Sequence, residues 1–293
     1  MNLTHILSYS IWTPIFLGGL ILLLSGKVND TQAKWLSLIS SVISFLITIP
    51  LYTAFDFSFG QFQFQEFFHW IPAFHINYHL GVDGFAVPLI LLTSFTTVIV
   101  VIASWRSIED RVAQYMAAFL IMSGLMIGVF SALDAMLYYI FWEAMLIPMF
   151  LVIGIWGGSN RIYATIKFFL YTVLGSLLML VAFIYLYLQT HSFEIVNFYN
   201  TGLDLYPQIF IFLALFMAFA VKIPMWPLHT WLPDAHVEAP TGGSVVLAAV
   251  MLKLGAYSFM RFAMPIAPDA AIYLKGFMVT LSLIAILYIA LIA

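Results

Sequence analysis

Residues 218–262 of the 293-residue chain read AFAVKIPMWPLHTWLPDAHVEAPTGGSVVLAAVMLKLGAYSFMRF, and this stretch decides the fold. An apolar run leads into Lys222. It is interrupted at once by Pro224, Pro227 and Pro233. Proline removes a backbone donor and clashes with the preceding helical turn. In a bilayer the freed carbonyls must be satisfied by protein or water, so a broken helix predicts the wall of an internal cavity.

A second apolar run follows the prolines and carries Lys253 near its middle. A lysine in hydrocarbon is costly, so it usually faces a bundle interior or a wet cavity and marks a pathway. Broken helices of this kind form ion sites near the midplane of transporters. Lys222 and Lys253 beside a helix break therefore predict ion or proton movement.

The composition is that of a polytopic membrane protein, with 64% hydrophobic and only 8% charged residues and a mean hydropathy of +1.06. A formal net charge of −3 gives no reason to expect nucleic acid as a partner. With no cysteine, the chain has no ligands for a conventional iron–sulfur cluster. It also lacks a phosphate-binding glycine loop and a dinucleotide fingerprint. We therefore expect no cofactor and no metal in this chain, and any redox chemistry belongs to partner proteins.

Apolar stretches of roughly 20 residues predict an all-α, polytopic helix bundle with about nine transmembrane helices, the seventh broken. We place the spans near 6–25, 35–54, 84–104, 112–131, 133–155, 163–187, 206–238, 242–262 and 271–293. The loops after spans one, three and five carry Lys or Arg, whereas the loops after spans two, four and six carry none. The positive-inside rule then predicts that the N-terminus lies outside.

The predicted outer loop 55–83 is rich in aromatic residues and contains His75 and His79. Their spacing suits one face of a helix, but no third metal ligand stands nearby, so we interpret this segment as a surface loop. Residues 190–205, which include Glu194 and Asp204, are interpreted as an ordinary connection.

Span five places Glu143 inside the membrane, with Pro148 five residues later. The proline removes a hydrogen bond near the carbonyl of Ala144, so we predict a kink beside Glu143. An acidic residue at this depth is a functional candidate by default. The alternative is a carboxyl group that is kept neutral or paired only for packing.

Four polar residues follow the break, namely His229, Asp234, His236 and Glu238. Their spacing matches no familiar zinc site, and we interpret them as a hydrated path in which histidine is useful near neutral pH. A structural role in holding the unwound backbone is the alternative. Lys167 lies near the end of span six and is a possible member of the same path, although it is expected to snorkel to the interface.

Four longer segments resemble subunit M of bacterial respiratory complex I, the proton-translocating NADH:quinone oxidoreductase, in the antiporter-like membrane subunit family. They are LGVDGFAVPLILL, FWEAMLIPMFLVIGIWGG, NRIYATIKFFLYTVLGSLLMLVA and VKIPMWPLHTWLPDAHVEAPT. The resemblance implies that Glu143, Lys222 and Lys253 form a proton relay. It also implies that NADH, FMN, iron–sulfur clusters and quinone are bound by partner subunits.

The family fold has two inverted five-helix repeats, and by this resemblance the chain holds the first and lacks the second. We expect residues 1–111 to be N-terminal membrane helices, 112–264 the five-helix repeat, and 265–293 the start of the second repeat. We expect the chain to be a fragment of a longer subunit. The resemblance further implies a bacterial inner membrane, with other complex I membrane subunits, lipid and protons as partners.

Two other functions remain open at the level of sequence. Multi-subunit sodium/proton antiporters and membrane-bound hydrogenases share this repeat, although sodium would require several oxygen ligands where the membrane core offers mainly lysines. A truncated chain that only packs against partners, without pumping, is the second alternative.

Overall fold

The computed structural model describes residues 3–292 of the chain; Met1, Asn2 and Ala293, the last residue of the ninth predicted span, lie outside the described residues. After a short 3-10 turn, two long helices lead to a hairpin and a third helix. These elements are α1 (Ile6–Leu23), α2 (Asp30–Thr53), β1 (Gln63–Ile71), β2 (Ile76–Val82) and α3 (Ala86–Ala103).

The central and C-terminal parts of the described chain are helical. Their helices are α4 (Val112–Ser131), α5 (Ala135–Ala144), α6 (Leu146–Trp156), α7 (Arg161–Thr190), α8 (Ile195–Tyr199), α9 (Leu205–Lys222), α10 (Trp231–Glu238), α11 (Thr241–Ile266), α12 (Pro268–Tyr273) and α13 (Lys275–Ile292). Eight helical stretches, with α5 and α6 taken as one, are long and apolar enough to cross a membrane. A ninth apolar stretch, Lys275–Leu291, is shorter. The predicted helical membrane bundle is confirmed.

Helix α4 is the most buried of these helices and packs against α1 to α3, α5 and α6. Two glycines allow the closest approaches. A Cβ on Gly124 would lie 2.3 Å from the carbonyl oxygen of Ile11, and one on Gly128 would lie 2.7 Å from the Phe141 ring. Small residues of this kind let membrane helices pack backbone to backbone. Helix α7 packs against α5, α6, α9 and α10 and forms the wall opposite α4.

The segment predicted as a surface loop contains an antiparallel β-hairpin, with Phe67 opposite His79 and Ile71 opposite Ile76. Its first strand has aromatic and polar residues in partial alternation, which is a period-2 signal that our interpretation missed. At the turn, His75 adopts a left-handed conformation with φ of 53°. The loop interpretation was therefore wrong for residues 63–82.

The hairpin is joined to two other connections by backbone hydrogen bonds. The Leu133 amide donates to the His79 carbonyl at 2.9 Å, and the Ile195 amide donates to the Leu133 carbonyl at 3.0 Å. We call this side of the bundle the hairpin end. The opposite side, formed by residues 24–29, 104–111 and 157–160, is called the basic end.

Candidate functional site

The helix break predicted from the prolines is confirmed. Helix α9 ends at Lys222, and residues 223–230 are not helical. Two carbonyls freed by the break find donors within the protein. The Met225 amide donates to the Ala220 carbonyl at 2.7 Å, and the Trp231 indole donates to the Val221 carbonyl at 2.8 Å. At least these two carbonyls at the break are thus satisfied by the protein itself.

Lys222 is buried at this break, with 1% of its surface exposed. Its ammonium nitrogen lies 5.3 Å from the centroid of the Trp142 ring and 5.9 Å from that of Phe168. Both distances suit a cation–π interaction. Among residues 3–292, no atom accepts a hydrogen bond from the Lys222 Nζ. A buried ammonium without an acceptor is unfavourable.

Glu143 approaches Lys222 from α5. The helix ends at Ala144, and a turn at Met145 separates it from α6, so the predicted kink beside Glu143 is confirmed. The Glu143 Oε1 is buried and has no hydrogen-bond partner in the protein. The carboxylate interacts coulombically with Lys222. The two are not among the ion pairs within 4.0 Å that the described part of the chain contains. The two side chains are therefore near enough to interact coulombically but do not form an ion pair.

Lys167 was expected to snorkel to the interface, but its ammonium group pairs with Asp234 instead. Its Nζ lies 2.7 Å from the Asp234 carboxylate, and the two side chains are 20% and 38% exposed. Helix α7 thereby holds α10 against itself. Phe168, which directly follows Lys167 in the chain, has its ring 5.9 Å from the Lys222 Nζ. Lys167 and Asp234, both candidates for the polar path, are thus in direct contact.

The other polar residues beyond the break, Glu238, His236 and His229, differ in their contacts. Glu238 is structural: its carboxylate accepts from the Asn160 amide at 2.8 Å, and its carbonyl accepts from the Gly158 amide at 2.9 Å. His236 is partly buried, and its carbonyl accepts from the Ser244 hydroxyl at 3.1 Å. His229 has a buried Nδ1 without a protein partner, and its ring lies 5.3 Å from that of Tyr288.

Lys253 does not face the interior of the bundle, as the sequence had predicted it would. It is exposed on α11, and its Nζ donates to the Ala248 carbonyl. Two π-helical segments, Leu247–Met251 and Phe259–Ala263, lie on either side of it. Such segments are frequent at functional sites. Lys253 is thus on a lateral face and is not brought into the space shared by Glu143 and Lys222.

The sequence analysis missed a polar cluster at the hairpin end. Asp134 is fully buried and caps α5, accepting from the amides of Met136, Leu137 and Asn77 at 2.9 to 3.0 Å. Burial raises the pKa of Asp134 to about 6, although these backbone bonds oppose the rise. His79 Nδ1 lies 2.5 Å from the Glu194 carboxylate. The Asp134 position just before an apolar helix was a readable N-cap signal.

Within residues 3–292, no group of three or more His, Cys, Asp or Glu side chains is arranged to hold a metal ion. The His75 and His79 pair considered above lies on the hairpin, where His79 is engaged by Glu194.

Comparison with known proteins identifies the family. Residues 132–293 match the family described as NADH:quinone oxidoreductase/Mrp antiporter, TM, and residues 14–131 match NADH-ubiquinone oxidoreductase chain 4, amino terminus. The chain is 49% identical to NADH-quinone oxidoreductase subunit M of Rhodobacter capsulatus over 92% of its own length and 54% of the relative's. It is 44% identical to NADH-ubiquinone oxidoreductase chain 4 of Arabidopsis thaliana, over 97% and 58% of the two lengths.

Two solved structures share the fold. A chain of respiratory complex I from Thermus thermophilus with bound NADH matches with a TM-score of 0.82 and 29% identity, over 94% of this chain and 56% of that chain. A chain of the Mrp complex from Dietzia sp. DQ12-45-1b matches with a TM-score of 0.78 and 21% identity, over 92% and 29%, which shows a common fold.

The chain spans 54% to 60% of the length of the curated relatives that it matches. The resemblance to subunit M of complex I, drawn from four segments of sequence, is confirmed by these matches. The chain belongs to the NADH:quinone oxidoreductase/Mrp antiporter family of membrane proteins.

Proposed function

We propose that this chain is a proton-translocating membrane subunit of an NADH:quinone oxidoreductase. The observation that carries the proposal is the open couple at the break of α9. There, a buried Lys222 without a hydrogen-bond acceptor faces a Glu143 carboxylate oxygen without a donor. A buried lysine and a nearby carboxylate that do not form an ion pair have two competing arrangements, one apart and one together.

In this mechanism Lys222 holds the transported proton and Glu143 changes its affinity for that proton. A carboxylate that moves close to the ammonium stabilises the charged form, and one that moves away leaves a desolvated cation that releases its proton. Moving one charge against about 100 mV costs roughly 2.3 kcal/mol. Since tenfold in affinity corresponds to about 1.4 kcal/mol, a change of roughly 50-fold in the proton affinity of Lys222 would be sufficient.

The route to Lys222 runs from the basic end. The Lys167–Asp234 pair stands between that end and Phe168, which contacts Lys222. His236 and His229 lie along the same non-helical segment and α10, and the unpartnered Nδ1 of His229 is suited to exchange a proton with water. Glu238 is left out of the route because its hydrogen bonds tie the chain around residues 158–160.

Lys253 is assigned to the sideways step of the relay, away from Lys222. Its exposure on a lateral face supports transfer toward a neighbouring element rather than within this bundle. That assignment agrees with the proposed organisation, in which residues 112–264 form one five-helix repeat and residues 265–293 begin a second, inverted one.

The remaining chemistry is assigned to partners. Electrons would pass from NADH through FMN and iron–sulfur clusters to quinone in other subunits, and this chain would use the released energy. The named relatives and the complex I match support other membrane subunits of that complex as its neighbours. We place it in a bacterial inner membrane, with the basic end in the cytoplasm and the N-terminus outside, from the distribution of Lys and Arg.

The test is NADH-driven membrane potential in proteoliposomes that contain the intact complex, in sodium-free buffer. Lys222→Met, which keeps the bulk of the side chain, should abolish the potential. Lys275→Met removes a lysine that is exposed at the hairpin end, and should leave the potential unchanged. Full potential in Lys222→Met would refute the proposal. A potential that appears only after sodium is added would instead favour a sodium-coupled antiporter.

A further inference from the structure

A depression with two parts runs along the outer surface of α4, α5 and α6. The first part is an apolar groove of about 430 Å³ that is lined by Leu22, Ile121, Pro148 and Leu151, among others. The second is a polar pocket of about 860 Å³ at the basic end. The two parts adjoin at Trp156 and its neighbour Ile155, which line both of them.

The polar pocket presents charges of both signs. Arg111 and Arg161 supply two guanidinium groups, and Glu109 and Asp110 supply two carboxylates. All four residues are exposed, and none of them belongs to an ion pair within 4.0 Å in the part of the chain that the structure describes. Trp156 fixes the pocket wall, since its indole donates to the Asp110 carbonyl at 2.8 Å.

We propose that this depression binds one phospholipid whose headgroup carries both a phosphate and a primary ammonium, with an acyl chain in the groove. Guanidinium groups bind phosphate through paired hydrogen bonds, which suits Arg111 and Arg161. The carboxylates of Glu109 and Asp110 complement the ammonium. Tryptophan is enriched at the level of lipid headgroups, where Trp156 would lie. The headgroup chemistry is therefore that of phosphatidylethanolamine.

The groove lies next to the part of α5 that carries Glu143, so the proposed lipid is close to the candidate proton site. Its inner part is lined by Ala144 and Pro148, on either side of the turn at Met145. Ala144 directly follows Glu143. An acyl chain in the groove therefore packs against the break between α5 and α6, on the helix that carries the carboxylate.

Lipid retention by the protein, purified from native membranes with its partners, tests the proposal by native mass spectrometry. Equal amounts of phosphatidylethanolamine, phosphatidylglycerol and phosphatidylcholine with identical acyl chains are offered. A surface charge contact contributes about fivefold in affinity, so we expect retention of phosphatidylethanolamine over each of the others by about that factor. Phosphatidylglycerol has no ammonium, and the methylated ammonium of phosphatidylcholine donates no hydrogen bond. Equal retention of all three lipids would overturn the proposal.

Two paired variants separate the two charges of the headgroup. Arg111→Gln with Arg161→Gln should reduce retention of every phospholipid, whereas Glu109→Gln with Asp110→Asn should reduce the preference for phosphatidylethanolamine over both other lipids. The control, Lys27→Gln with Arg106→Gln, makes the same charge change at the basic end outside the pocket lining. An effect of the control as large as that of the arginine pair would overturn the proposal.

The groove is tested separately. Leu151→Trp should block it and reduce lipid retention, whereas Leu174→Trp, at another exposed apolar position, should not. A photo-reactive amino acid at position 151 in native membranes should give a lipid adduct. A protein adduct would show that a neighbouring subunit occupies the groove and would refute the lipid assignment.

Discussion

The Lys222 Nζ lies over aromatic rings and has no hydrogen-bond acceptor among the described residues, and this residue-scale arrangement is why the proposal gives Glu143 a role. Aromatic faces stabilise an ammonium by about 0.5–2 kcal/mol. That is less than the cost of burying a charge, which is several kcal/mol. In the proposed mechanism the carboxylate on α5 therefore decides whether Lys222 is protonated.

Glu143→Gln should largely abolish proton pumping and slow coupled quinone reduction, while assembly stays normal. Glutamine keeps the size and most hydrogen bonding of the side chain but carries no negative charge. Membrane potential and quinone reduction are measured in vesicles, and native gels monitor assembly. If this variant pumps normally, the carboxyl group is a packing residue and the relay assignment must be withdrawn.

The Lys167–Asp234 pair calls for a double-mutant cycle, because each partner alone leaves the other unpaired. Partly exposed ion pairs couple by about 0–1 kcal/mol, so Lys167→Met and Asp234→Asn should each lower stability little. We expect pumping to fall several-fold in either single variant and no further in the double variant. Multiplicative losses would show that the two residues act independently.

At the scale of elements, α5 is a ten-residue helix that is fixed at one end and broken at the other. Asp134 caps its start, and the turn at Met145 ends it. The prolines and the acidic residue in an apolar run made the breaks at α5 and α9 predictable. The direction in which Lys253 points was not predictable, because helical periodicity cannot say which face of α11 a neighbouring helix covers.

Asp134 should make stability depend on pH. Its folded pKa of about 6 exceeds the ordinary value of 3.8, so the folded state binds more protons between roughly pH 4 and 6. The folded protein thus loses stability as pH rises through this window. Asp134→Asn retains a good helix cap without the titration. Measured by thermal unfolding in detergent, the stability of the variant relative to that of the wild type should rise between pH 4.5 and 7. A stability difference that does not change with pH would contradict this.

For the molecule as a whole, the two ends of the bundle differ in the structure that covers them. The hairpin end is closed by a β-structure and by the Asp83–Arg261 pair at 2.8 Å, whereas the basic end is formed by short connections. The eight long spans were predictable from hydropathy, since lipid leaves few alternatives to helices. The hairpin was not predicted, because residues 55–83 were interpreted as a surface loop and the partial alternation in the first strand was overlooked.

The predicted orientation can be tested directly, because the natural chain contains no cysteine. Ser107→Cys lies at the basic end and should react with an impermeant maleimide only in inverted vesicles. Ser58→Cys, near the hairpin, should react only in spheroplasts, which expose the outer face of the inner membrane. The reverse pattern would place the basic end outside and reverse the proposed direction of transport.

Trp142 and Glu143 are neighbours on α5, and adjacent residues on a helix point about 100° apart. A rotation of this short rod about its own axis would therefore exchange one side chain for the other in front of Lys222. In such a rotation the indole would withdraw as the carboxylate arrived, so contact with the ring and contact with the charge would be alternatives. In a variant whose seven other tryptophans are replaced, Trp142 emission would then report the rotation without any added probe.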